Sequence, residues 1–196
     1  MTRTDQNPAD LYIAAMDATQ RYVAGVPSDK WTNPTPCDEW DVRDVVSHVV
    51  SGNLWLGELF NGKTIEEVGD VFEGDVLGDD PVGAYKRSVE IAKAAVSAPG
   101  AMDATTHLSF GDVPGSEYAS QMFLDLLIHG WDIAAGSGQD RTLNADLVRA
   151  CYPVAEKMTS VARETGAYGD DLGVTDESDL QTKLLGLLGR SANWPD

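Results

Sequence analysis

The chain has 196 residues, 42% of them hydrophobic and 23% charged, which suits one globular domain with a real core and is too little for two full ones. Its 14 basic and 32 acidic residues leave a net charge of -18. That charge argues against nucleic acid or an anionic membrane as partner, because both repel an acidic protein. No apolar run approaches the roughly 20 residues that span a bilayer. The N-terminal "MTRTDQNPADLY" lacks the apolar core of a signal peptide, so a cytoplasmic address is expected. Cys37 and Cys151 do not make a disulfide framework and are expected to be free thiols.

Helical periodicity dominates the chain. "PADLYIAAMDATQRYVAGV" places Leu11, Ala15, Ala18 and Tyr22 on one stripe, with Pro8 and Gly25 as start and stop signals. The Pro-rich loop "NPTPCDEW" leads to Asp41, a good N-cap for "DVRDVVSHVVSGNLWLGELF". An acidic connector from Asn61 to Asp80 precedes a third helix, with Val82, Tyr85, Val89, Ala92 and Val96 at helical spacing. "GAMDATTHLSFGDVPG" has no helical period and is read as extended chain or an active loop. The helix carrying "DLLIHGWD" follows and stops near "GSG". The next, from "NADLVRACYPVAEKMTSVARETG", lines up Leu147, Cys151, Val154, Met158 and Val161, with Pro153 as an expected kink. A short Leu-rich helix, "SDLQTKLLGLLGR", ends the chain. The periodicity predicts an all-α bundle.

Two of these helices carry polar groups where apolar ones belong. On the second, Arg43, Asp44, Ser47, Ser51 and Glu58 gather on a solvent face, opposite Val42, Val45, Val46, Val49, Trp55 and Leu59. His48 falls inside that apolar arc, with Gly52 one turn later. A buried imidazole there needs a hydrogen bond, a metal or a partner charge. The "DLLIHGWD" helix is apolar round most of its circumference. Its narrow polar sector holds Tyr118, Gln121, Asp125, His129 and Asp132, with Asp125 and His129 stacked four residues apart.

His48 from one helix and Asp125 with His129 from the other can converge on a divalent metal, since bundle interiors build such sites from inward-facing side chains. Two imidazoles and a carboxylate suit zinc or a neighbouring transition metal, and leave a position open for water or substrate. The alternative is a satisfied core histidine beside a solvent-facing i,i+4 pair; D-x-x-x-H alone is a weak pattern.

The motifs "TPCDEWDVRDVVSHVV", "FGDVPG", "DLLIHGWDIAAGSG" and "LLGLLGRSANW" resemble, in order along nearly the whole chain, the actinobacterial metal-binding proteins of the DinB-like superfamily. These are related to the N-terminal domain of mycothiol-dependent maleylpyruvate isomerase. The resemblance implies one domain over residues 1–196, a DinB-like four-helix bundle with additional C-terminal helices. It also implies a divalent metal, zinc first and nickel second, on His48, Asp125 and His129. Asp125 departs from the isomerase pattern, which would place Glu there; the shorter side chain must draw the helix closer or bind through water.

The resemblance further implies a low-molecular-weight thiol such as mycothiol as co-substrate. A metal-bound thiol is deprotonated and becomes the nucleophile. Attack on a small electrophile would then make the protein a thiol S-transferase or isomerase. The competing reading is a non-catalytic metal-binding or interaction module, monomeric or homodimeric, on the same bundle.

Asp132 is a candidate to orient the His129 ring, against a plain solvent carboxylate at the helix end. Tyr118 and Trp55 are pocket candidates or ordinary core. His107 is a further ligand, an acid/base at the pocket mouth, or an exposed loop histidine. Cys37 precedes a helix N-terminus among Asp38, Glu39 and Asp41, whose charges oppose thiolate formation, and is read as structural.

Overall fold

Asn7 accepts a hydrogen bond from the Ala9 amide and Pro8 opens the first turn, so α1 runs Pro8–Ala24 as its start and stop signals require. Asp41 caps α2, Val42–Phe60, through a reciprocal capping box with Asp44. The acidic connector contains one turn of helix, α3 at Ile65–Val68, before α4 at Pro81–Val96. α5 spans Gly115–Ser137 and closes at Gly138, whose φ of 74° is the left-handed conformation that ends many helices. α6 covers Ala145–Ala162 and α7 covers Leu180–Leu187. The computed structural model describes residues 6–162, 172–175 and 177–195.

Four of these helices make the bundle. α1 packs along α5 and α4, and α2 packs against α4 and α5. α6 lies on α5 and α1, with α7 against α6 as the additional C-terminal layer. The bundle is therefore the expected four-helix type. The segment without helical period is extended, the first of its two readings, and forms a β-hairpin: β1, Thr105–Leu108, pairs antiparallel with β2, Gly111–Pro114, and rests on α2 and α5. Pro153 sits inside α6 and the helix runs through it, burying Leu147, Val148, Cys151 and Ala155. Val161 was expected on that face, but its side chain lies outside the described residues.

α5 is the central helix. Phe123, Leu124, Leu126, Leu127, Trp131 and Ile133 are all almost completely buried, so its apolar surface is covered on nearly every side. Removing such a side chain costs about 2–5 kcal/mol. Two glycines let neighbours come close. A Cβ on Gly130 would stand 2.6 Å from Thr19 Oγ1 of α1. One on Gly136 would meet the Pro34 carbonyl oxygen at 2.8 Å, where the Pro-rich loop lies across α5. Asn33 Nδ2 donates to the Gly136 carbonyl at 3.0 Å and fixes that crossing. The loop is thereby held over the C-terminal half of α5, beside His129 and Asp132.

Candidate metal centre

α2 and α5 bring His48, Asp125 and His129 together. His48 Nε2 lies 3.2 and 3.4 Å from the two Asp125 oxygens, and His129 Nε2 lies 3.4 Å from Asp125 Oδ1. The three donor atoms all fall within 4.8 Å of one another. In a tetrahedral centre with bonds of about 2.1 Å, adjacent ligand atoms stand about 3.4 Å apart. The separations from Asp125 to the two imidazoles fit that edge length, and the donor set fits zinc or a similar divalent ion. Asp125 reaches both imidazoles without a longer side chain.

The exposure of these groups falls steeply along one line. Side-chain accessibility is 37% at His48, 29% at Asp125, 11% at His129 and 0% at Asp132. His48 is therefore not the enclosed core histidine that its place in the apolar arc of α2 suggests. It forms the wall of an open groove of about 300 Å³, lined also by Trp40, Ser47, Ser51 and Phe72. Gly52 does not make room for the ring either; a Cβ there would meet Met122 Cε of α5 at 3.0 Å.

Behind the centre, His129 Nδ1 lies 3.0 Å from Asp132 Oδ2. An ionised carboxylate only accepts, so Nδ1 carries the proton and Nε2 is the nitrogen offered toward Asp125. Asp132 is thus a buried partner of the ring, not a solvent carboxylate. Arg190 donates from Nη2 to Asp132 Oδ2 at 3.2 Å and to Cys37 Sγ at 3.1 Å. The Cys37 thiol in turn lies 3.1 Å from Asp132 Oδ2. Gly189, at φ 75°, turns the chain after α7 so that the Arg190 amide bonds back to the Leu185 carbonyl, which aims the guanidinium at α5.

These charges hold one another. Burial alone would raise Asp125, but His129 and then His48 keep it well below the usual carboxylate range. Burial opposes a charged His129, yet Asp125, Asp132 and Cys37 hold it well above an ordinary histidine. Asp132 is lowered against its burial by the bond from His129 and by Arg190.

Trp40 is the aromatic residue at the site. Its ring centroid is 4.9 Å from that of His48 and 5.8 Å from that of His129, so the indole covers both imidazoles. Glu39, the preceding residue, takes a φ of 68°, uncommon for a side chain with a Cβ, and this turn sets the indole over α2. Trp55 packs edge-on against Phe72 at 6.1 Å and does not line the groove. Tyr118 is buried two turns before Asp125 and stacks on Phe60; burial, and then the Asp125 charge, push its hydroxyl up. His107 lies in β1 and pairs with Asp112 across the hairpin at 2.8 Å, apart from the cluster.

Trp40 and Arg190 were missed from sequence. Each had a signal, since Trp40 ends the loop before the α2 cap and Arg190 is the one basic residue closing an apolar Leu-rich segment.

The model of the mycothiol maleylpyruvate isomerase N-terminal domain matches residues 12–134. Two proteins of Mycobacterium tuberculosis, uncharacterized protein MT0763 of strain CDC 1551 / Oshkosh and uncharacterized protein Rv0738 of strain H37Rv, are each 33% identical over 187 residues. The alignment covers 94% of this chain and 98% of each relative. The crystal structure of the mycothiol-dependent maleylpyruvate isomerase superposes with a TM-score of 0.61 at 17% identity, over 83% of this chain and 72% of that one. That superposition shows a shared fold. With the family model spanning α1, α2, α4 and most of α5, the chain belongs to the mycothiol maleylpyruvate isomerase N-terminal domain family.

Proposed function

We propose that this protein binds one divalent metal ion through His48, Asp125 and His129, and uses it with a low-molecular-weight thiol, mycothiol, to act on a small electrophile. The observation that carries the proposal is the convergence of both imidazole Nε2 atoms on the Asp125 carboxylate at tetrahedral edge distances, with His48 in the wall of an open groove. Zinc is the first choice for two nitrogens and one oxygen, and nickel the second. A structural zinc site has four protein ligands, whereas three leave room for a reacting group.

When bound there, the metal supplies a lowered pKa to a coordinated thiol, which becomes the thiolate nucleophile. The protein's own residues do the rest. Asp132 fixes the His129 tautomer, so that Nε2 stays directed at the site. Trp40 covers the two rings and limits water on that side. The groove beyond His48 receives the electrophile, and its open side lets solvent take the thiol proton. Thiolate addition forms a C–S bond at the cost of a π bond of the electrophile; the adduct either takes a proton from solvent to give the S-conjugate or, after rotation, expels the thiolate and re-forms the double bond as the isomer.

Asp44 is among the groove-lining residues and no described lysine or arginine is, so an uncharged electrophile suits it better than a dicarboxylate. Mycothiol enters this reading from the family and from the printed name of the crystallised isomerase.

The same proposal treats residues 1–196 as one domain, since α1, α2, α4, α5, α6 and α7 all contribute to one hydrophobic core. Two free thiols fit a cytoplasmic setting, and no described helix is long and apolar enough to cross a membrane.

The test incubates metal-loaded protein with mycothiol and a panel of uncharged and anionic electrophiles, following product by mass. Conjugate or isomer, lost in His48→Ala, is the expected result. A metal-loaded protein that neither binds mycothiol nor turns over any electrophile would leave only a metal-binding or interaction module.

A further inference from the structure

Directly behind the proposed centre is a second donor set. Cys37 Sγ, His129 Nδ1 and an Asp132 oxygen also lie within 4.8 Å of one another. A thiolate, an imidazole and a carboxylate make a strong set for zinc, and the thiolate is the softest ligand near the site. Arg190 already occupies it. Its Nη2 reaches both Cys37 Sγ and Asp132 Oδ2, its Nε lies 3.5 Å from Asp132 Oδ1, and its Nη1 is anchored on the Leu188 carbonyl at 2.8 Å. The guanidinium cannot shed its proton, so it is a permanent positive charge where a second cation would sit.

We propose that Arg190 is a guard. It satisfies Cys37 and Asp132, excludes metal from them, and confines the ion to the Nε2 side of His129. The consequence is a centre with nitrogen and oxygen ligands alone. An ion drawn to Cys37 and Asp132 would sit on the Nδ1 side of the ring, away from His48, Asp125 and the groove. This inference rests on the metal reading above and adds the reason that the nearest protein thiol is not a ligand.

Cobalt titration tests it, because thiolate ligation gives an intense near-ultraviolet charge-transfer band that imidazole and carboxylate ligation do not. Wild-type protein should take up about one equivalent of cobalt without that band. The two neutral variants Arg190→Met and Arg190→Gln should gain it, and adding Cys37→Ser to either should abolish it again. Glutamine keeps an N–H donor toward Cys37 and Asp132, which protects the fold, and helicity by circular dichroism verifies this. Arg190→Lys retains the positive charge and should stay without the band. A Cys37-dependent band in wild type, or folded neutral variants that bind cobalt like wild type, would overturn the guard. Wild type that takes up no cobalt would instead bring down the metal reading itself.

Discussion

His129 and Asp132 meet at 3.0 Å, between a ring nitrogen that faces away from the groove and a carboxylate that solvent does not reach. Without metal, the opposite nitrogen of the same ring faces Asp125. His129 Nδ1 therefore donates to Asp132 while Nε2 stands at ion-pair distance from Asp125, and both carboxylates favour the protonated ring, so a metal at Nε2 would have to displace a proton.

Proton release follows from that geometry. The raised His129 value makes its contribution to stability full below about pH 6.5 and lost as pH rises through the raised value. The lowered Asp125 and Asp132 contribute above about pH 4 and lose that contribution as pH falls. Metal-free protein thus draws most from this network between about pH 4 and 6.5, while metal needs Nε2 bare. Calorimetry in buffers of different ionisation enthalpy should show about one proton released per zinc near pH 7. The rise in melting temperature on adding zinc should also grow from pH 5.5 to 7.5.

Asp132→Asn removes the charge that orients His129 and pairs with Arg190. Metal affinity, measured by chelator competition, should fall about 10–100-fold, the usual effect of losing a carboxylate behind a histidine ligand. Truncating the other partner, in Arg190→Met, leaves a buried carboxylate short of one partner and should cost about 3 kcal/mol in urea unfolding. Unchanged affinity in Asp132→Asn would show that the ring is held by packing alone.

Trp40 lies against both imidazoles, so its emission should report the site. Cobalt binding should quench part of the tryptophan fluorescence, and Trp40→Phe should remove most of that response. Trp55→Phe should leave it intact, because Trp55 packs on Phe72 instead.

The two cysteines should separate under a thiol reagent. Cys151 is fully buried, and burial pushes its thiol up to about 12, so it stays protonated and unreactive in the folded protein. Cys37 is partly exposed and should label first. One thiol should react in native protein and both after unfolding, with the native signal lost in Cys37→Ser.

The bundle could be read from the sequence because helical stripes, Pro8, Asp41 and Gly138 each act locally. Their effects do not depend on what lies across the molecule. The Asp125–His129 pair was visible for the same reason, since residues four apart share a helix face. Phase misjudged His48, because a helical wheel shows which neighbours a residue has on its own helix, not whether another helix covers it. Here the groove stays open and the ring is only half-buried. The meeting of Trp40, Cys37 and Arg190 around His129 and Asp132 could not be read from local pattern. Two come from a loop laid over α5 at Gly136, and the third from a turn 58 residues beyond Asp132 in sequence. The hairpin was legible only as one of two readings, extended chain or loop, because strands of four residues are too short to display the alternating pattern that would decide between them.

The proposed chemistry turns on a metal ion at His48, Asp125 and His129. Its most direct test is the metal content of protein purified without an affinity tag or added metal, comparing wild type with His48→Ala and His129→Ala. About one equivalent in wild type and loss from both variants, with helicity retained, is the expected result. Metal absent from wild type and not taken up from zinc or nickel, or metal kept in both variants, would contradict it.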